Sequence, residues 1–185
     1  MTSATAIDKV KNKFNIPLSV TNLDTIITGV VADATDLLNG YVRLTATATQ
    51  AVTYSTTSFT VTAGRKVKEI YLDDGLQKPV TITDWYQVDT TVYLTNYFDG
   101  TLTYRYDTNY TVSDLPSLPT EFNQPFLNTC YAEFASFLAG DRSAYSEYTQ
   151  SAGARAVDNM TDLAQFYEQK ADRQFAKVEQ SEGAM

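Results

Sequence analysis

The sequence contains no histidine. That absence removes His-based triads, His general bases and His metal ligands together. A single cysteine, Cys130, leaves no intrachain disulfide and no cysteine-ligated zinc site. Phe126, Leu127 and Phe134 surround Cys130 at helical spacing, and no histidine can activate it, so it reads as a buried structural thiol. Cations are scarce as well. Fourteen Lys and Arg stand against 22 Asp and Glu, a net charge of −8. Such a chain repels phosphate and argues against sequence-independent nucleic-acid binding. No apolar run approaches the ~20 residues of a membrane span. The first residues, Met-Thr-Ser-Ala-Thr-Ala-Ile-Asp, lack the basic and apolar regions of a signal peptide. The expectation is a chain made in the cytoplasm, without a membrane partner. No Gly-rich phosphate loop is present.

What is there is enough apolar material for a real core. Hydrophobic residues make up 43% of 185 positions, which suits one domain or one compact body with an insertion. Residues 3–14 predict a short helix with Ile7, Val10 and Phe14 on one face, Lys9, Lys11 and Lys13 elsewhere, and Pro17 as its end. Residues 21–39 carry Leu23, Ile26, Ile27, Val30, Val31, Ala34, Leu37 and Leu38, a continuous helical stripe. Thr21 or Asn22 can cap its start, and Asn39-Gly40 is a natural stop.

From 41 to 108 the period changes from 3.6 to 2, and Thr, Val, Tyr and Ile dominate. Phe59 and Val61 alternate with Thr neighbours. Val67, Glu69 and Tyr71 are expected on one strand face, with Lys68, Ile70 and Leu72 on the other. Val80 with Ile82, Val92 with Leu94, and Thr101 to Tyr106 continue the pattern. Asp73-Asp74-Gly75 and Asp99-Gly100 are turn signals. Six or seven short strands at this spacing predict an antiparallel sandwich or small barrel.

Pro116 and Pro119 then stop any strand. Thr120 can cap a helix through Phe122, Phe126, Leu127, Cys130, Phe134, Phe137 and Leu138, with Pro125 tolerated in its first turn. Gly140 interrupts, and Asp141 can cap another helix carrying Tyr145 and Tyr148. Gly153 weakens that helix, and Met160, Leu163, Phe166 and Tyr167 renew its stripe. The fold class expected is α+β: a helical bundle of about four helices, residues 1–40 plus 112–185, with an inserted antiparallel β module, residues 41–111.

No group stands out as catalytic, so the expectation is a protein that is not an enzyme and needs no cofactor or metal. Asp73-Asp74 reads as a turn, because Gly75 follows. Asp84, Asp89, Asp99 and Asp107 each border a strand, where Asp favours turns. Arg65-Lys66-Val67-Lys68 reads as a solvated strand end. Trp85, Tyr86, Tyr97 and Phe98 are candidates for a subunit or partner interface; together with Tyr93, Tyr104 and Tyr106 they are alternatively candidates for an aromatic carbohydrate platform. Near the C-terminus, the helix over 168–179 is polar apart from Ala171, Phe175, Ala176 and Val178. Phe175 and Val178 are candidate docking residues for a partner.

The stretch from Thr101 to Phe166 resembles the head–tail adaptor (connector, or head-completion) proteins of tailed bacteriophages. The resemblance lies in the order of four pieces. A strand ends in Tyr104-Arg105-Tyr106. A polar segment passes Asp114 to reach Leu118-Pro119-Thr120-Glu121-Phe122. An aromatic helix with Tyr131, Phe134 and Phe137 ends at Ala139-Gly140-Asp141. A second helix carries Tyr145 and Tyr148. The resemblance implies a structural protein of the virion neck: a homo-oligomeric ring, usually of twelve subunits, beneath the portal. The ring extends the channel for viral DNA ejection, with DNA passing without sequence-specific binding, and it docks the stopper or a tail-completion protein. It also implies that the C-terminal part, here Phe175 and Val178, meets the portal protein. The β insertion of about seventy residues departs from the smallest members, which are nearly all-helical. The competing expectation is a carbohydrate-binding or adhesion module with helical support.

Overall fold

The protein is described by a computed structural model covering residues 1–63, 65–73 and 79–182, with side chains at all of these but 73 and 179–182. The chain is α+β and forms two compact units. One combines Met1–Val42 with Tyr110–Met185, and the other is Arg43–Asn109.

The first unit is helical: α1 (Ser3–Lys13), α2 (Asp24–Leu38), α3 (Asn123–Gly140), α4 (Arg142–Ala152) and α5 (Met160–Glu182). Its centre is α3. Every residue from Pro125 to Ala132 is buried, as expected of a helix with neighbours on all sides. Helices α1, α2, α4 and α5 all pack on it. Thr2 caps α1 by accepting from Thr5 N at 3.1 Å. Phe14 closes α1 by setting its ring edge-on to Phe134, centroids 4.8 Å apart. On α2, the stripe Ile27, Val30, Val31, Ala34 and Leu38 is buried as its spacing predicts. Leu37 departs from that stripe and is 51% exposed. Helix α2 also starts at Asp24, one turn later than the sequence suggested, without a side-chain cap.

Lys11 is the clearest correction in this unit. Expected away from the apolar face of α1, it is nevertheless only 3% exposed. Its ammonium donates to Val20 O at 2.7 Å and lies 2.5 Å from Asp24 Oδ1. Asp24 Oδ1 receives no directed hydrogen bond, so the ion pair alone serves that buried oxygen. The turn after α1 thus closes over a lysine whose charge is compensated by two carbonyls and a carboxylate.

Between strand and helix, the polar segment folds as a 3₁₀ turn, Val112–Ser117, closed by a capping box in which Thr111 and Asp114 pair reciprocally. These hydrogen bonds from Thr111 hold the Asp114 carboxyl below its usual range. A second short turn, Thr120–Phe122, leads into α3, so Thr120 does not cap that helix directly. Asp141 does cap α4, accepting from Ser143 N and Ala144 N. Five α-helices occupy the described residues because α4 stops at Ala152. Gly153 follows with φ +59, a left-handed conformation that a side chain would strain. The chain re-enters helix at α5, where Asn159 Oδ1 accepts from Asp162 N.

The second unit is a two-sheet sandwich. Strands β1 (Leu44–Val52), β7 (Gly100–Thr108), β3 (Lys66–Asp73) and β4 (Val80–Ile82) form one sheet in the order β1-β7-β3-β4. Strands β2 (Ser58–Thr60), β6 (Thr91–Leu94) and β5 (Trp85–Val88) form the other in the order β2-β6-β5. All pairings are antiparallel. Val52, Phe59, Ile70, Val92, Leu102 and Tyr104 are among the side chains that fill the space between them. The alternation expected along β3 is broken. Val67 faces Tyr106 and Glu69 faces Arg105, so Lys68 is an extra residue, a β-bulge. The bulge resets the parity, and Val67 and Ile70, three apart, both point inward. Gly100 begins β7 at φ +131, as the Asp99-Gly100 turn signal implied. The turn signal at Asp73-Asp74-Gly75 falls outside the residues described in full. Among the described residues, no helix is long and apolar enough to cross a membrane.

Candidate interaction surfaces

Cys130 sits on the buried face of α3 and is fully enclosed. Burial pushes its thiol far above the usual range, so it is neither a nucleophile nor a ready metal ligand as it stands. Of the aspartates at strand ends, Asp107 pairs with Lys68 at 2.8 Å and accepts from Thr45 at 3.2 Å. Asp84 accepts from Asn96. Asp89 sits at φ 51 in the tight link between β5 and β6. The Asp84 and Asp107 carboxylates thus tie turns and strands.

Of the basic stretch, Arg65 lies over the Tyr106 ring at 4.3 Å, and Lys68 is held by Asp107. Gln87 fixes this corner: its Nε2 donates to Arg65 O and Asp89 O, and its Oε1 accepts from Val67 N. A wide, open hollow of about 690 Å³ lies here, with Arg65, Lys66, Trp85 and Gln87 in its lining.

The four aromatic interface candidates do not form one patch. β5 alternates, so Trp85 and Tyr86 point to opposite faces. Trp85 is half-buried against the sandwich core and donates from Nε1 to Ile82 O at 3.1 Å. Phe98 also packs on that core. Tyr86 is half exposed on the outer face of the small sheet and stacks on its cross-strand partner Tyr93, centroids 5.0 Å apart and rings within 14° of parallel. Tyr97, beyond β6, is 71% exposed. Of these four, only Tyr86 and Tyr97 therefore present most of a ring to solvent; of the alternative aromatic platform, Tyr93 stacks on Tyr86, while Tyr104 and Tyr106 are buried in the sandwich core.

Phe175 needs correction as a docking residue. It is 2% exposed, stacked on Tyr41 with centroids 4.0 Å apart and near Phe122 at 6.3 Å. It is the last of a stripe, Met160, Ala164, Tyr167, Ala171 and Phe175, that packs α5 along α3. So polar a helix gains little from its own fold, and its sequence leaves open a frayed end or a segment that packs on a partner. Ala164 and Ala171, however, let α5 approach closely enough for Tyr167 to meet Tyr131 edge-on at 5.2 Å. Val178 is half-buried.

A surface the sequence reading missed lies beside that stripe. Leu37 and Tyr41 from the end of α2, Glu133 from α3, and Glu168 and Asp172 from α5 line a cleft of about 170 Å³. Tyr41 donates its hydroxyl to Asp172 at 3.3 Å. Burial, then the nearby Asp33 and Glu168 charges, raise the Glu133 carboxyl above its usual range. The cleft residues come from three separate stretches of the sequence, around positions 37–41, 133 and 168–172, so no local pattern marks them.

No family model matches the chain, and no curated protein matches it. Among solved structures, one chain described as the neck of an empty GTA particle computed with C6 symmetry is 10% identical. That match covers 67% of this chain and 74% of the other at a TM-score of 0.34. A chain described as the neck of a native GTA particle computed with C12 symmetry is 14% identical, covering 89% of this chain and 88% of the other at a TM-score of 0.32. These are distant similarities, and TM-scores this low establish no shared fold.

Proposed function

We propose that this protein is a structural component of a phage-like virion neck, a head-to-tail adaptor that assembles as a ring below the portal, twelve-membered as in the resembled family. The observation that carries this reading is the ordered run from β7 to α4. A strand ending in Tyr104 and Tyr106 passes through the Thr111–Asp114 box and Pro119 into the aromatic helix α3, and Asp141 then turns the chain into α4 with Tyr145 and Tyr148. That run follows the order of pieces on which the resemblance to head–tail adaptors rests. The acidic composition supports it too, because a net charge of −8 keeps DNA moving past without sticking.

In this reading the helical unit builds the ring, and the exposed Tyr86 and Tyr97 of the sandwich offer contacts to the stopper or another tail component. The end of α5 around Val178 meets the portal, and buried Phe175 anchors that end from beneath rather than contacting the portal itself. The protein catalyses no reaction, and its place is the head–tail interface of the particle.

Co-sedimentation with purified portal rings tests the reading. The expected result is stoichiometric association, with Val178→Ser weakening it and leaving the melting temperature near the parent's. Absence of any association with portal rings or with neck-containing particles overturns it. Affinity for a glycan, lost on Tyr86→Ala, would point instead to the adhesion alternative.

A further inference from the structure

Helix α5 carries opposite charges on the two sides of its buried stripe. At about 100° per residue, Glu168 and Asp172 project on one side and Lys170, Lys177 and Phe166 on the other, roughly 160° around the helix. All five are exposed. The acidic side opens into the cleft with Leu37, 51% exposed, and Glu133. The basic side is a ridge. Phe166 is 56% exposed, and the Lys170 ammonium sits 5.8 Å from the ring centroids of both Phe166 and Tyr167. Lys13 of α1 adds a second ammonium, 5.2 Å from the Tyr167 centroid. Among the described residues, none of these lysines forms an ion pair. Each surface thus has an exposed apolar side chain beside charges of one sign, and the two signs are complementary.

We propose that the acidic cleft of one copy receives the basic ridge of a second copy, with Lys170 and Lys177 meeting Glu168, Asp172 and Glu133, and Phe166 covering Leu37. This deepens the ring reading and rests on it. The two surfaces differ and lie on opposite sides of one helix, so the contact is head-to-tail, the type that closes into a ring when the rotation allows. A cation entering the cleft also relieves the like-charge crowding around Glu133. Because the charges are exposed, assembly by this contact weakens as salt rises.

Charge exchange tests it in the full chain, with particle mass measured at low salt. The parent is expected as a particle several times 20.6 kDa. Lys170→Glu with Lys177→Glu should fall to the monomer, and so should Glu168→Lys with Asp172→Lys. An equimolar mixture of these two proteins should reassemble, since each supplies the surface the other has lost. One chain carrying all four changes should assemble by itself. Melting curves check that every variant is folded; if a reversal unfolds the chain, Lys170→Ser with Lys177→Ser removes the charge alone and should also give the monomer. If the one-sided variants assemble like the parent, this interface is wrong and the ring reading stands. If the parent remains at 20.6 kDa at every concentration and salt tested, the ring reading falls and the interface with it.

Discussion

Asn39 holds the backbone of Tyr110, 71 residues away, through both ends of its carboxamide. Its Oδ1 accepts from Tyr110 N at 2.6 Å, and its Nδ2 donates to Tyr110 O at 3.0 Å. The side chain imitates a strand partner at the point where the helical unit's two chain segments meet. Both groups are buried, so neither has water as a substitute partner. Asn39→Ala leaves a buried N–H and C=O unpaired and should cost about 2–4 kcal/mol, at about 1–3 kcal/mol per orphaned group with partial relief by solvent. Urea unfolding followed by circular dichroism measures it. A midpoint unchanged from the parent would mean the clasp contributes nothing.

The same juncture predicts that the sandwich can be removed. Leu44 pairs with Thr108 at the open end of β1 and β7, so the insertion leaves and returns at adjacent points. Replacing residues 43–109 with a short Gly/Ser linker between Val42 and Tyr110 should yield a soluble, helical, cooperatively melting protein. An aggregated or molten product would show that the sandwich shares in the helical core.

Ile27 is fully buried on the α2 stripe that packs on α3. Ile27→Asp places a carboxylate there without a partner and should cost several kcal/mol, on the order of 3–5. Val30→Asp should act similarly. Thermal melts are sufficient to read the effect, and a parent-like melting temperature would refute the packing of α2.

Phe175 should behave as a core residue. Phe175→Ala removes its stack on Tyr41 and its contact with Phe122, and should destabilise by about 3–5 kcal/mol. Truncation after Gln169, which also removes Ala171, should lower stability at least as much. A truncated protein as stable as the parent would instead mean that the second half of α5 is dispensable.

Glu133 predicts a pH dependence. Its carboxyl is raised in the folded chain by burial, and further by Asp33 and Glu168. The folded state therefore holds this proton more tightly than the unfolded chain does. Stability from this group is present below the unfolded carboxylate pKa and is lost as pH rises through the raised folded value. Glu133→Gln should match the parent at acid pH and exceed it at neutral pH. Urea midpoints at the two pH values give the comparison, and a variant that gains nothing at neutral pH would remove the argument.

Local sequence decided the parts whose physics is local. The spacing of Ile27, Val30, Val31, Ala34 and Leu38 marks an amphipathic helix before any partner is known. Asp141 after Gly140 marks a cap, and the two-residue alternation of Val, Thr and Tyr marks the strands. The absence of histidine narrows the chemistry without reference to shape. Tertiary structure decided what depends on neighbours distant in the chain. Lys11 is buried because Val20 and Asp24 fold back onto it, and helical periodicity alone cannot show that compensation. Lys68 bulges because β3 must stay in register with β7, which flips the faces that strict alternation assigned. Phe175 belongs to the core because small alanines on α5 let that helix approach α3, a matter of fit between two surfaces rather than of hydrophobic content. The acidic cleft exists only where α2, α3 and α5 converge, so its charges become neighbours through packing alone.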